Sequence, residues 1–361
     1  MRLIADDLTG ALDSAARFTS RLGPISVHLG PMVPRVTGHA ALDLACRDGS
    51  MEAAVTASRA AAGFFDDSLA FKKIDSLLRG HWAAELAALL ATGRFRHCIL
   101  APAFPDQGRV TLAGRQHLVA SDGRLEALPV DPEEALAAQG LALIRADISK
   151  APAAGAAPAI QIFDAASAGD LAAAVRYGRS VAGPVLWCGT AGLAGALAGA
   201  PAKSVKEVAP PALALIGSNH PVMQKQIEAA RRSDACRVLV LGEDPAENLR
   251  AIEAGLARHR CCVASFALPA GVPAALAAEE IEQRLQALVP RLPTPATLIA
   301  AGGETLRAIC LASSASHLLV TGENRPGIPY SRLVGGSWDG VAVVSKSGAF
   351  GAPGFFEELV G

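Results

Sequence analysis

The chain has 361 residues, 51% of them hydrophobic and 19% charged, with 33 basic against 34 acidic side chains and a formal net charge of −1. That length exceeds what one hydrophobic core ordinarily serves, so two domains are expected, and the balanced charge argues against nucleic acid as a partner. With no apolar run of membrane-spanning length and no leader pattern at the start, the expectation is a cytoplasmic enzyme with no membrane partner.

Short apolar runs alternate with alanine-rich helical stretches. In the first part the expected strands are Arg2–Ala5, Pro24–His28, Ala40–Leu44, Leu69–Lys72, His97–Ala101, Ile160–Phe163 and Val185–Trp187, with helices at Met51–Gly63, Trp82–Thr92 and Asp170–Tyr177. From Ala200 the periodicity stops in the segment APAKSVKEVAPP, the expected linker. A second series follows. Its expected strands are Ala212–Ile216, Val238–Leu241, Cys262–Phe266, Thr297–Ala300, His317–Val320 and Val341–Ser345, and its helices are Val222–Arg232, Pro245–Ala257, Ala275–Leu288 and Glu304–Ala312.

The alternation predicts an α/β fold class, with two α/β domains, each a mostly parallel sheet flanked by helices. Their expected bounds are residues 1–200 and 210–361. Seven cysteines, scattered without a CxxC pair and without companion histidines, predict reduced thiols that fill the core and assign no metal ligand.

The polar residues at strand ends carry the functional signal, because ligands of open α/β sheets sit beyond the carboxyl ends of the strands. The first strand runs into Asp6-Asp7-Leu8-Thr9-Gly10. One of the two carboxylates suffices to cap the helix that follows, which leaves the other for function or for none. Arg47, in the segment Asp43-Leu-Ala-Cys46-Arg47-Asp48, suits a clamp on a carboxylate or an ion pair with Asp48. The turn Lys72-Lys73-Ile74-Asp75-Ser76-Leu-Leu-Arg79 gathers donors around one acceptor, a set that suits an anionic substrate bearing hydroxyls or a solvated turn. The segment from Pro102 to Thr111 reads as a loop that aims Arg109, or in which Phe104 plugs the core and Arg109 pairs with a carboxylate.

The second half differs. Gly217-Ser218-Asn219-His220-Pro221, Gly302-Gly303-Glu304-Thr305 and Lys346-Ser347-Gly348-Ala349-Phe350-Gly351 each follow a strand and supply backbone N–H groups and hydroxyls. Three such turns in one domain favour a nucleotide-phosphate site, although none is a Walker A or GxGxxG pattern.

Taken in order, IADDLTGA, KKIDSLLRG, PAFPDQGR, GSNHPV, GGET, GIPYSRL and KSGAFG make the chain resemble the four-carbon acid sugar kinase family, from Leu3 to about Phe355. The resemblance implies an N-terminal acid-sugar-binding domain, a C-terminal nucleotide-binding domain and an active site in the cleft between them. It implies substrate contacts at Asp6, Asp7, Arg47, Lys73, Ile74, Asp75 and Ser76, and nucleotide contacts at Ser218, Gly302, Gly303, Glu304, Thr305 and Gly348. Cys46 stands where the resemblance leads to a serine.

The expected activity is ATP-dependent phosphorylation of a hydroxyl on a small acid sugar, such as 3-oxo-tetronate, threonate or erythronate, with Mg2+ bridging the phosphates. Arg47 and Lys73 are expected to grip the substrate carboxylate. Either Asp7 or Asp75 serves as the hydroxyl-orienting base. Closure of the domains on both ligands is expected, and a homo-oligomer is left open. The alternatives are a non-catalytic sugar-acid binding or sensing module and a dinucleotide-dependent oxidoreductase.

Overall fold

A computed structural model describes residues 1–30, 35–66, 68–120, 122–146, 159–206, 208–268 and 272–361, and residue 207 of the expected linker lies outside them. The chain divides into two compact units, Met1–Ala202 and Lys203–Gly361.

The N-terminal unit contains strands β1 (Arg2–Ala5), β2 (Ile25–Leu29), β3 (Ala40–Asp43), β4 (Ala70–Lys73), β5 (His97–Ala101), β6 (Arg109–Leu112), β7 (Arg115–Val119), β8 (Leu125–Ala127), β9 (Leu143–Arg145), β10 (Ala159–Ile162) and β11 (Val185–Gly189). Its helices are α1 (Leu8–Arg17), α2 (Thr19–Leu22), α3 (Met51–Ala61), α4 (Trp82–Leu90), α5 (Pro132–Ala137), α6 (Ala168–Ser180) and α7 (Ala191–Ala198). The main sheet runs β2-β3-β1-β4-β11-β5-β10-β9, and its pairings are parallel. Strands covered on both faces read as short continuous apolar runs, and for that reason β1, β3 and β5 stand out in the sequence. One helical layer packs Leu86 and Leu89 of α4 onto Ile4, Leu42 and Leu100 of the sheet.

The segment 102–111, expected as a loop, is only partly one. Pro105–Gln107 forms a single 3-10 turn, and Arg109 starts β6, the first strand of an antiparallel sheet β6-β7-β8. Ala113 and Gly114 turn the hairpin, both with positive φ (54° and 78°). A two-residue hairpin needs that geometry but usually announces it with Asn-Gly or Asp-Gly, and alanine hides it.

The C-terminal unit contains β12 (Ala212–Ile216), β13 (Cys236–Leu241), β14 (Cys261–Phe266), β15 (Thr297–Ala301), β16 (His317–Arg325), β17 (Ile328–Val334) and β18 (Ala342–Lys346). Its helices are α8 (Pro221–Ala230), α9 (Pro245–Arg258), α10 (Ala274–Leu288), α11 (Gly303–Ala312) and α12 (Phe355–Val360). The sheet order is β13-β14-β12-β15-β18-β17-β16, parallel except where β17 runs against both neighbours. Ile216, Met223, Val263, Val344, Phe355 and Phe356 form part of one core face. Strand β17 was not expected, because Pro329 within Ile328–Val334 demotes the run as a strand.

The linker expectation needs correction at its start. Lys203 O accepts from Glu323 N, and Val205 N donates to Glu323 O, each at 2.8 Å, so this stretch adds to the edge of the C-terminal sheet instead of spanning free. All seven cysteines are buried free thiols, as expected. No helix among the described residues is long and apolar enough to cross a membrane.

Candidate functional sites

In the N-terminal unit the chain leaves β1 to build β3 and β2 on one side, then returns to place β4 on the other. That reversal opens a crevice beyond β1, the usual ligand position of an open α/β sheet. Asp6 and Asp7 follow β1, Arg47 follows β3, and Lys73 ends β4. The backbone locks the first two together, because Asp6 O accepts both Cys46 N (3.0 Å) and Arg47 N (3.2 Å).

Arg47 is committed to the carboxylates beside it. Its Nε and Nη2 donate to the two oxygens of Asp6 at 2.7 and 2.8 Å, Nη2 also reaches Asp7 Oδ1 at 2.7 Å, and Nη1 donates to Asp7 Oδ2. Four of the five guanidinium N–H donors are used in this way. Asp48 is not its partner; Asp75 Oδ1 lies 3.9 Å from Nη1. Asp7 does two jobs at once, since its Oδ1 also accepts Gly10 N at 2.9 Å as the N-cap of α1.

The two neighbouring carboxylates are electrically unlike. Burial disfavours charge on Asp6, but Arg47, Lys72 and Lys73 outweigh it and hold that carboxyl below its ordinary range. On Asp7 burial prevails, helped by the adjacent Asp6 charge and only partly offset by Arg47, so its carboxyl is raised. Asp75 resists its burial through bonds from Arg79 (Nε to Oδ2 and Nη2 to Oδ1, both 2.8 Å) and the charge of Arg47, and is held well below the carboxylate range.

Lys73 Nζ donates to Ile74 O at 2.8 Å and lies over the first turn of α1. A methyl group at Gly10 would stand 2.6 Å from Asp7 Oδ1 and 2.8 Å from Lys73 Nζ, so glycine there lets cap and ammonium approach the same point. Ser76 is half-buried and its carbonyl accepts Gln116 Nε2 at 3.1 Å; the same amide bonds Pro102 O at 2.9 Å. Gln116 thus ties the Lys73–Ser76 turn to the strand ends beside it. Sequence reading missed it, because a lone Gln in a short hairpin strand carries no signal until the sheet places it.

Two residues of these motifs do other work. Lys72 is fully buried and paired with Glu85 of α4, facing away from Lys73 as strand alternation requires. Arg109 Nη1 donates to the carbonyl of Gln107 instead of to a carboxylate, while Phe104 is buried as its structural reading required.

In the C-terminal unit the same topology recurs. From β12 the chain builds β13 and β14 to one side and then crosses to β15, so the ends of β12, β15 and β18 are neighbours. Gly217–His220, Gly302–Thr305 and Lys346–Gly348 follow these three strands. Gly302 N donates to Lys346 O at 3.0 Å, and Gly302 itself has φ +110°. A Cβ at Gly348 would overlap Ser218 Oγ, and one at Gly217 would overlap Thr305 Oγ1. Glycine leaves backbone N–H groups and hydroxyls crowded together without a carboxylate among them, apart from the exposed Glu304 at the start of α11. A hollow of about 280 Å³ lies beside this cradle, lined by Gly217, Ile281 and Thr305 and by the carboxylates Glu279, Glu282 and Glu304.

Residues 1–131 match the sugar-binding N-terminal domain family, and residues 213–356 match the nucleotide-binding C-terminal domain family. A D-threonate kinase of Cupriavidus necator is 32% identical over 97% of this chain and 94% of its own length. The chain belongs to the four-carbon acid sugar kinase family. A second D-threonate kinase, from Bordetella bronchiseptica, is 29% identical with the same coverage. The fold is shared with a Haemophilus influenzae protein of the DUF1537 family, at a TM-score of 0.69 and 18% identity over 99% of both chains.

Proposed function

We propose that this family member is an ATP-dependent kinase that phosphorylates a hydroxyl of a four-carbon acid sugar such as threonate, erythronate or 3-oxo-tetronate. One observation carries the reading: the charged crevice lies in the unit matched as sugar-binding, and the glycine cradle lies in the unit matched as nucleotide-binding. Residues 1–200 then serve as the acid-sugar domain and 210–361 as the nucleotide domain.

Phosphoryl transfer asks chiefly for positioning and charge neutralisation. In this reading Asp6, Asp7, Arg47, Lys73, Ile74, Asp75 and Ser76 bind the acid sugar. Lys73 offers its remaining N–H groups to the substrate carboxylate, while Arg47 fixes the Asp6–Asp7 pair through the bonds it already makes. Asp7 is the better base of the two candidates, because its raised carboxyl accepts a proton more readily than Asp75, which Arg79 and Arg47 hold ionised. Asp75 orients hydroxyls.

Ser218, Gly302, Gly303, Glu304, Thr305 and Gly348 hold the nucleotide, and the crowded cradle at Gly348 and Gly217 fits phosphate oxygens approached by backbone N–H groups. Among the described residues no group of three His, Cys, Asp or Glu side chains could hold a metal ion. Mg2+ would therefore enter on the phosphates with water ligands and supply neutralisation of their charge. The test is ADP release with a panel of threonate, erythronate and 3-oxo-tetronate isomers. Turnover on at least one is expected; tight acid-sugar binding with no turnover on any would replace the kinase reading by the binding module.

A further inference from the structure

Lys346 ends β18, directly before the turn that contains Gly348. It is 2% exposed, and its Nζ has no hydrogen-bond partner. A buried ammonium normally finds a carboxylate, as Lys72 finds Glu85 in the other unit. Around Lys346 the neighbours are apolar or do not bond it; Gln226 Oε1 and Glu357 Oε2 are themselves buried without a partner. Its Nζ stands 5.2 Å from the centre of the Phe355 ring, which also carries the Arg325 guanidinium at 5.7 Å. Gln226 of α8 commits its Nε2 to the carbonyls of Phe350 and Ala352, both at 3.0 Å, so it closes the 347–352 turn. The Lys346 side chain passes beneath that turn, its Cε 3.6 Å from where a Cβ of Gly351 would stand.

The charged groups on the packed elements do not complete it. On α12 Glu358 is taken by Arg325 of β16 at 2.8 Å, and neither Glu357 nor Tyr330 of β17 bonds the ammonium. Lys346 O meanwhile accepts Gly302 N, which fixes this strand end against the Gly302–Thr305 turn.

We infer that Lys346 is a phosphate-responsive amine: buried without a counter-ion in the free protein, it takes a proton from solvent when a nucleotide phosphate seats in the adjoining glycine cradle, so nucleotide binding is coupled to proton uptake. The step is R–NH2 plus a solvent proton to R–NH3+, with the phosphate supplying the anion that the protein lacks there. Burial alone brings the group down from its ordinary value to about 7, with no charged neighbour contributing. The inference rests on the nucleotide reading of this unit and names a residue outside the set assigned to it above.

The test is calorimetry of ADP binding, with and without Mg2+, at pH 8.5 in buffers of different ionisation enthalpy. ADP itself is then fully deprotonated, so uptake reports on the protein. About one proton per nucleotide is expected for the natural chain, and close to none for Lys346→Met, which should bind ADP more weakly and fold at least as stably. The natural chain alone gives a second readout: its Kd for ADP should rise about tenfold per pH unit between pH 7.5 and 9.5. ADP binding without proton uptake, or with equal uptake in Lys346→Met, overturns the inference and leaves the kinase reading standing. Absence of ADP binding by the natural chain overturns the nucleotide reading, and the inference with it.

Discussion

The two units place their candidate sites at the same point of the same kind of sheet, yet their electrostatics are opposite. In the N-terminal unit, charges of both signs are packed together in pairs: Arg47 bridges Asp6 and Asp7, Arg79 grips Asp75, and Lys72 meets Glu85. In the C-terminal unit the cradle is built of glycine and hydroxyl groups, with the buried, unpartnered amine of Lys346 beneath the adjoining turn. The difference matches what each is proposed to hold. A small acid bearing several hydroxyls needs acceptors and donors fixed in advance, whereas a polyphosphate brings its own charge and needs close backbone approach.

Substitutions can break this contrast. The largest expected effect is on Asp7: Asp7→Asn should lower the single-turnover phosphorylation rate by about 10²–10⁴-fold, with ADP affinity unchanged. Asp75→Asn, tested in the same assay, should act mainly on acid-sugar affinity; equal rate losses in the two would dissolve the assignment of Asp7 as base. Arg47→Met should cost about 3–5 kcal/mol in urea denaturation, because it strands two buried carboxylates without their counter-ion.

Gly348→Ala should weaken ADP binding about tenfold or more, since the new methyl collides with Ser218, while acid-sugar binding persists. A matching loss of acid-sugar affinity would mean that the two functions are not divided between the units. Gln116→Ala should cost about 1–3 kcal/mol, from the unsatisfied carbonyls of Ser76 and Pro102, and should raise the KM for the acid sugar more than that for ATP.

The smallest effect is the acid limb of stability. Asp75 is depressed in the folded chain, so the unfolded chain binds more protons, and its contribution is present above the ordinary carboxylate value near pH 4 and lost as pH falls below it. Asp75→Asn should flatten that limb of the urea midpoint against pH. Asp7 is raised and works in the opposite sense, its contribution falling away as pH rises past the unfolded value.

Much of this was legible before any fold existed. Apolar runs buried on both faces marked β1, β5 and β12 with the bounds the structure shows. The hairpin at Ala113-Gly114 and strand β17 were not legible, because alanine at positive φ and proline inside a strand both contradict local propensity and are tolerated only in context. Arg47 was expected to await a substrate carboxylate. Its donors are spent on Asp6 and Asp7, which no spacing in the sequence announces, since the three meet only when β1 and β3 pair.

What the sequence by itself determined is therefore the order and kind of elements and the chemistry available at their ends, since hydrophobic period and residue type are local properties. Which groups neutralise one another was decided by tertiary structure alone. Burial and distance set whether Asp6 stays ionised while Asp7 is raised, and whether Lys72 finds a carboxylate while Lys346 does not. Charge in a protein interior depends on what the fold brings within a few ångströms, and that is not written along the chain.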